Sequence, residues 1–199
     1  DIEQITYDNL KKSILKIKEK IDKLLSTSDT GRIIREGLKI SIIGKPNVGK
    51  SSFLNAMLGT ERAIVTNVPG TTRDTLEENV RIGDVFLHLI DTAGIHETED
   101  EVEKIGIEKA REQLKHCDFC ILILDRSREI EEEDKILLKE IESKKAVILY
   151  NKSDLENSFS IDEIENMTTK KIIAFSAKTG EGFEQWTDWL KNELKIYSK

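Results

Sequence analysis

The chain has 199 residues, 38% hydrophobic and 35% charged with only two prolines, which fits one folded domain with a short appended element and excludes a disordered chain. Its 38 acidic and 31 basic residues give a net charge of −7, so phosphodiester backbones repel this segment and bulk nucleic-acid binding is not expected of it. No apolar run reaches the roughly 18–20 residues that cross a bilayer and the start has no signal-peptide pattern, so neither membrane insertion nor secretion is expected.

The chain begins at Asp1 rather than Met and reads as a piece excised from a longer one. Residues 1–36 form a segment of their own. Leu10, Ile14, Ile17, Ile21 and Leu24 recur at alternating spacings of four and three, with lysines between them. That pattern predicts one apolar stripe on a long amphipathic helix. Ser26–Gly31 breaks it. The stripe either packs on the chain's own domain or belongs to a helical bundle completed elsewhere, and the second reading is preferred.

A second unit, 37–199, alternates strands with helices. A strand is predicted at Leu38–Ile43, then a glycine-containing loop and a helix over Ser51–Leu58. Thr60–Leu76 reads as a long polar loop. Asn79–Ile82 and Val85–Ile90 flank Gly83-Asp84, a hairpin turn. Further on come a helix at Glu103–Lys115, a strand at Phe119–Leu124, a helix at Glu132–Glu142 and a strand at Ala146–Tyr150. A short helix at Ile161–Glu165, a strand at Lys171–Phe175 and a helix from Gly182 to Leu194 complete the pattern. The expected fold is α/β: a three-layer sandwich around a mostly parallel six-stranded sheet with one antiparallel edge strand. The acidic runs Glu97–Glu103 and Glu129–Asp134 read as solvated faces. Cys117 and Cys120 form a C-x-x-C without a second pair to complete a zinc site. Beside a buried strand they read as core residues of a cytoplasmic protein.

Gly44-Lys45-Pro46-Asn47-Val48-Gly49-Lys50-Ser51 fits G-x-x-x-x-G-K-[ST] between a strand and a helix. Such a loop wraps phosphate with its N–H groups, here contributed around Asn47, Val48, Gly49 and Ser52, while the helix N-terminus adds positive potential. Lys50 is expected to neutralise the β- and γ-phosphates, and the Ser51 hydroxyl to ligate Mg²⁺. Asp91-Thr92-Ala93-Gly94 ends another strand, where Asp91 can reach Mg²⁺ and the Gly94 N–H the γ-phosphate. Asn151-Lys152-Ser153-Asp154 ends a third. As an acceptor-only group, Asp154 matches guanine N1–H and N2–H, donors that adenine lacks. Asn151 is expected to tie this loop to the phosphate loop, and the Lys152 stem to lie over the base. Ser176-Ala177-Lys178 offers a backbone N–H to guanine O6. The ligand expected is therefore GTP or GDP.

These segments, in this order, resemble the TRAFAC class of P-loop GTPases over about residues 38–195. Within it, PNVGKSSFLNAMLG, RAIVTNVPGTTRD and DTAGIHETEDEVEKIGIEKA look most like the tRNA-modification GTPase family MnmE, or TrmE. The preceding TGRIIREGLK is also similar to that family. The resemblance implies a GTPase domain inserted into a helical domain, of which residues 1–36 would be one stranded helix. It also implies Thr72 as a ligand of Mg²⁺ and γ-phosphate, and a K⁺ site made by Asn47 with the segment Thr66–Thr71, including Val68. Glu103 matches the family's water-positioning glutamate. Ile95 stands where Ras-like enzymes carry a catalytic glutamine, and His96 where the family commonly carries arginine, whose fixed charge a neutral imidazole does not replace. The resemblance further implies a homodimer through the GTPase domains with hydrolysis coupled to it, an FAD-dependent partner protein, and tRNA bound by other domains. Two alternatives stay open on the motifs alone: a ribosome-assembly or hydrogenase-maturation GTPase, and a nucleotide-gated binding module with negligible turnover.

Overall fold

A computed structural model describes residues 10–22, 37–59, 63–65, 78–82, 85–89 and 103–193. They fall in two compact units, Asp1–Gly37 and Leu38–Lys199. In the first, residues 10–22 form helix α1. Leu10, Ile14, Ile17 and Ile21, the predicted stripe, are each 49–58% exposed; Leu24 lies outside the described residues.

The second unit is built on a sheet. Its strands are β1 (Leu38–Ile43), β2 (Ala63–Val65), β3 (Glu78–Ile82), β4 (Val85–Leu89), β5 (Phe119–Asp125), β6 (Ala146–Asn151) and β7 (Lys171–Ala174). The helices are α2 (Lys50–Leu58), α3 (Glu103–His116), α4 (Glu132–Ile141), α5 (Ile161–Glu165) and α6 (Phe183–Glu193). The sheet has seven strands in the order β2-β3-β4-β1-β5-β6-β7, not the six expected. The run β4-β1-β5-β6-β7 is parallel throughout. The added strand comes from inside Thr60–Leu76, read from sequence as loop. Ala63, Ile64 and Val65 pair antiparallel with Ile82, Arg81 and Val80. Three residues are too few to show a period against a polar background, yet they cover the outer N–H and C=O row that β3 would otherwise expose. The antiparallel strand β3 is therefore interior, and the edge is β2.

Both faces of the central strands β5 and β6 are buried, so these strands read as near-continuous apolar runs. On one face Cys120, Leu122 and Leu124 pack with Ala110 and Leu114 of α3 and with Leu137, Leu138 and Ile141 of α4. Phe119, on the alternate side of β5, meets Trp189 of α6 at 5.5 Å between ring centroids. Phe53 of α2 packs edge-on against Phe175 and Trp186 at 5.3 and 5.4 Å. This buried aromatic group holds α2 and α6 on the second face. Among the described residues no helix is long and apolar enough to cross a membrane.

The topology decides where a ligand can sit. The connection leaving β1 runs towards β4 and the one leaving β5 towards β6, in opposite directions from neighbouring strands. Such a switch opens a crevice at the carboxyl ends of those strands.

Candidate functional site

The loop Gly44–Gly49 leaves β1 at this crevice, and its shape follows from a few backbone requirements. Gly44 has φ 149°, and a Cβ there would stand 2.5 Å from the Ile123 carbonyl oxygen. Gly49 has φ 101°, and a Cβ there would stand 2.2 Å from Asn151 Nδ2. Asn47 is left-handed at φ 63°, a conformation asparagine tolerates better than most. Buried Val48 pins the loop from below, and buried Phe53, Leu54 and Met57 pin the helix that follows.

Helix α2 starts without a side-chain cap on Gly49 and without an acid in its first turn. Helix α5, by contrast, carries its own cap, with Ser160 accepting from the Glu163 N–H. The first-turn N–H groups of α2 and its dipole thus have neither a cap nor an acid on their own helix. Lys50, the first residue of that helix, reaches back over the loop and donates from Nζ to the Gly44 and Lys45 carbonyls at 2.8 and 2.6 Å. Burial, with a smaller push from the Lys109 charge, lowers its pKa to about 8. A desolvated ammonium beside an uncapped helix start favours an anion with several oxygens, which is the chemistry of a diphosphate. Ser51 follows directly on the same turn. Its hydroxyl, like the carboxylate and hydroxyl expected to join it, is a hard oxygen donor, and the set suits Mg²⁺.

Lys45 corrects one reading. The run Glu129–Asp134 is not simply a solvated face, because Lys45 Nζ lies 2.5 Å from Glu131 Oε2 and 3.5 Å from Asp134 Oδ2. Asp134 is 6% exposed and also accepts from the Glu131 N–H at 3.0 Å. Burial would lower the Lys45 pKa, but the hydrogen bond and charge of Glu131 and the charge of Asp134 raise it overall. The acids at the start of α4 therefore grip the phosphate loop.

Two further loops meet this one. Asn151, at the end of β6, donates from Nδ2 to the Val48 carbonyl at 2.7 Å and accepts at Oδ1 from the Ala177 N–H at 3.2 Å. One buried amide thus joins the phosphate loop to the loops after β6 and β7. Asp154 Oδ1 accepts from Ser176 Oγ at 2.7 Å, and Lys178 Nζ stands 4.0 Å from Oδ2. The Ser176 bond is the main cause that holds the Asp154 carboxyl below its usual range, so at neutral pH it is an acceptor only. Lys152 is left-handed at φ 65°, and its Nζ donates to Asp125 Oδ2 at 2.5 Å.

These groups border an open cleft of about 740 Å³, lined by Gly49, Ser52, Asn151, Lys152, Asp154 and Ala177 among others. Its volume is of the order that holds a ligand of several hundred daltons. Asn55 and Ala56 also line it and were missed from sequence, although they lie three and four residues after Ser52 on one helix face. Asp125 was missed as well. Its signal is a carboxylate ending the otherwise apolar run FCILIL at the ligand end of the sheet. Of the remaining expected residues, Glu103 is the first of α3. Thr66, Val68, Thr71, Thr72, Asp91, Gly94, Ile95 and His96 lie outside the described residues.

The two cysteines take no part. Cys120 is buried in the core, and burial pushes its thiol well above the usual value and raises that of Cys117 too. Both are therefore poor nucleophiles and ligands. Among the described residues no group of three or more His, Cys, Asp or Glu is arranged to hold a metal.

Comparison with known proteins agrees with this geometry. The chain is 46% identical over 198 residues to the tRNA modification GTPase MnmE of Clostridioides difficile, covering 99% of this chain and 43% of that protein. It is 51% identical over 186 residues to the MnmE of Alkaliphilus metalliredigens, covering 93% and 40%. The chain thus spans about two fifths of the length of these relatives. Among solved structures, the G domain of the T. maritima FeoB iron transporter matches with a TM-score of 0.53 at 26% identity, over 81% of this chain and 99% of that one. The family model described as 50S ribosome-binding GTPase matches residues 39–152, more than half of the chain, and the chain belongs to this family of GTPases.

Proposed function

We propose that this chain is the GTP-binding and GTP-hydrolysing module of a tRNA wobble-uridine modification enzyme of the MnmE type. The observation that carries the guanine part is the Asp154 carboxylate, oriented by Ser176 at the rim of a cleft that Asn151 ties to the phosphate loop. Its two oxygens suit the paired N–H donors of guanine, and adenine would leave them unmet. The identity to MnmE proteins supports the tRNA part.

In this reading the loop N–H groups of residues 47–52 cradle the phosphates, and Lys50 neutralises the β- and γ-oxygens. Lys152 covers one face of the base, and the Ala177 segment, with Ser176 and Lys178, borders its O6 edge. Ser51, Thr72 and Asp91 would hold Mg²⁺, which when bound neutralises charge on the bridging oxygens. Asn47 with Thr66, Val68 and Thr71 would hold K⁺. Gly94 would face the γ-phosphate, and Glu103, the first residue of α3, would position the attacking water. Hydrolysis is coupled to homodimerisation through these domains. Residues 1–36, with helix α1 at 10–22, would be a segment of a helical domain completed elsewhere in a longer protein. Other domains engage tRNA, an FAD-dependent protein is the partner, and the cytoplasm is the location.

The experiment is GTP hydrolysis by this chain in potassium and in sodium at equal ionic strength, with Glu103→Ala beside the parent. At least tenfold faster turnover in potassium is expected, with Glu103→Ala binding GTP normally but losing turnover. Equal rates in both salts remove the K⁺ site, and full activity of Glu103→Ala removes its role.

A further inference from the structure

Lys152, which lines the cleft, is paired with Asp125, a contact that the nucleotide reading does not use. We propose that Asp125 is a positioning residue for the base, holding Lys152 so that its methylene stem forms a fixed wall over the purine. The inference rests on the reading of the cleft as a guanine site and assigns a residue which that reading leaves out.

Asp125 is the last residue of β5, paired in register with Asn151 of β6, and the Arg126 N–H donates to the Asn151 carbonyl at 3.1 Å. Its side chain is only 2% exposed. Oδ1 is fully engaged, accepting from the Ser127 N–H at 3.0 Å and from Ser127 Oγ at 2.6 Å. That leaves Oδ2 for cations: Lys152 Nζ at 2.5 Å and Arg128 Nε at 3.3 Å. The carboxylate cannot turn without breaking the Ser127 bonds, so it offers Lys152 one fixed place. Burial works to raise its pKa, but the hydrogen bonds from Lys152 and Ser127 outweigh burial, and the group stays ionised.

At the other end of the lysine the backbone is equally fixed. Lys152 holds a left-handed conformation at φ 65°, which a residue with a Cβ keeps only where its surroundings over-determine it. Its carbonyl accepts from the Leu155 N–H at 2.9 Å. The four methylenes are thus held at both ends, on a residue that lines the cleft together with Asp154 and Ala177. An untethered lysine keeps several rotamers and would lose that freedom on binding. Asp125 removes this freedom before the nucleotide arrives.

Calorimetric titration of the 199-residue chain with GDP, ADP and inorganic diphosphate tests this. Preference of the parent for GDP over ADP establishes the guanine site itself, and its absence would defeat that reading whatever Asp125 does. Given that preference, Asp125→Asn is expected to weaken GDP at least tenfold, leave diphosphate affinity unchanged and keep kcat at saturating GTP within about threefold, a change in binding alone. Lys152→Met and the double variant should bind GDP equally, because the two residues act through one contact. Ser127→Ala removes one of the two bonds that fix Oδ1 but keeps the backbone bond and the Lys152 pair, so it should weaken GDP clearly less than Asp125→Asn does. A merely structural Asp125 predicts otherwise: equal losses for GDP and diphosphate, or losses that multiply in the double variant, and either result overturns the proposal. If Asp125→Asn does not fold, a crystal structure of the parent with GDP decides. Lys152 Nζ within hydrogen-bond distance of Asp125 and its stem against the purine supports the proposal, and a Lys152 turned to another partner overturns it.

Discussion

Lys50 links the electrostatics of the phosphate loop to a measurable pH dependence. Its ammonium sits on the Gly44 and Lys45 carbonyls, and burial with the nearby Lys109 charge brings its pKa to about 8. A diphosphate in the loop favours the charged form, so the pKa of the complex lies above that of the free chain. Below pH 8 both states carry the proton and affinity is flat. Above it the free chain has lost the proton and binding must restore it, so affinity falls. Each pH unit in that range is worth about 1.4 kcal/mol, and GDP should bind roughly tenfold more weakly at pH 9 than at pH 7. The folding sign is opposite. Lys50 has a lowered pKa in the folded chain, so the unfolded chain binds more protons between pH 8 and 10.5, the ordinary lysine value. Across that window Lys50 makes the nucleotide-free chain more stable as pH rises. Calorimetry in buffers of different ionisation enthalpy would read both the affinity and the uptake of close to one proton at pH 9. Lys50→Arg is the control, since a guanidinium stays charged and the N1–H ionisation of guanine is common to both proteins. Identical pH slopes for the parent and Lys50→Arg would refute the assignment of the titration to Lys50.

Asp154→Asn should weaken GTP at least tenfold, about 1.4 kcal/mol, and improve binding of xanthosine nucleotides, whose extra carbonyl accepts from the new amide; unchanged GTP affinity in a titration would sink the base assignment. Gly49→Ala forces a Cβ against Asn151 at a left-handed φ, and should lower stability by about 1–3 kcal/mol in urea unfolding; a midpoint equal to the parent's would mean the loop is not built as described. Asp134→Asn leaves Lys45 with Glu131 alone and should cost about 1–3 kcal/mol in the same measurement; an indistinguishable midpoint would return Asp134 to a solvated face.

The order of strands and helices was legible because the central parallel strands are buried on both faces and write runs such as FCILIL and AVILY. The motif segments were legible because each needs a fixed residue at a strand end. What sequence concealed were interactions between segments far apart in the chain. Glu131 and Asp134 look like any acids at a helix start until Lys45, 86 residues earlier than Glu131, is brought to them. Asp125 looks like the polar end of a strand until Lys152 arrives, 27 residues later. Strand β2 was hidden for a different reason. Three residues carry no periodicity, and it is the exposed edge of β3 that makes them a strand.

The same pairs explain why the described half of the site is built as one piece. Asn151 donates to the phosphate loop, accepts from the loop after β7 and stands where Gly49 has no side chain. An aspartate there could accept from Ala177 but could not donate to Val48, and it would bury a charge beside the carbonyl. A larger residue at position 49 would drive the amide away. From the other side, the connection between β5 and α4 holds Lys152 through Asp125 and Lys45 through Glu131 and Asp134. The base and phosphate portions are thus fixed to each other twice, by an uncharged amide across the cleft and by carboxylates behind it. Specificity follows from that rigidity. In the proposed guanine reading, a wrong base would not be met by shifting the Asp154 loop, because a shift would also break the Asn151 bonds to the phosphate loop and to Ala177.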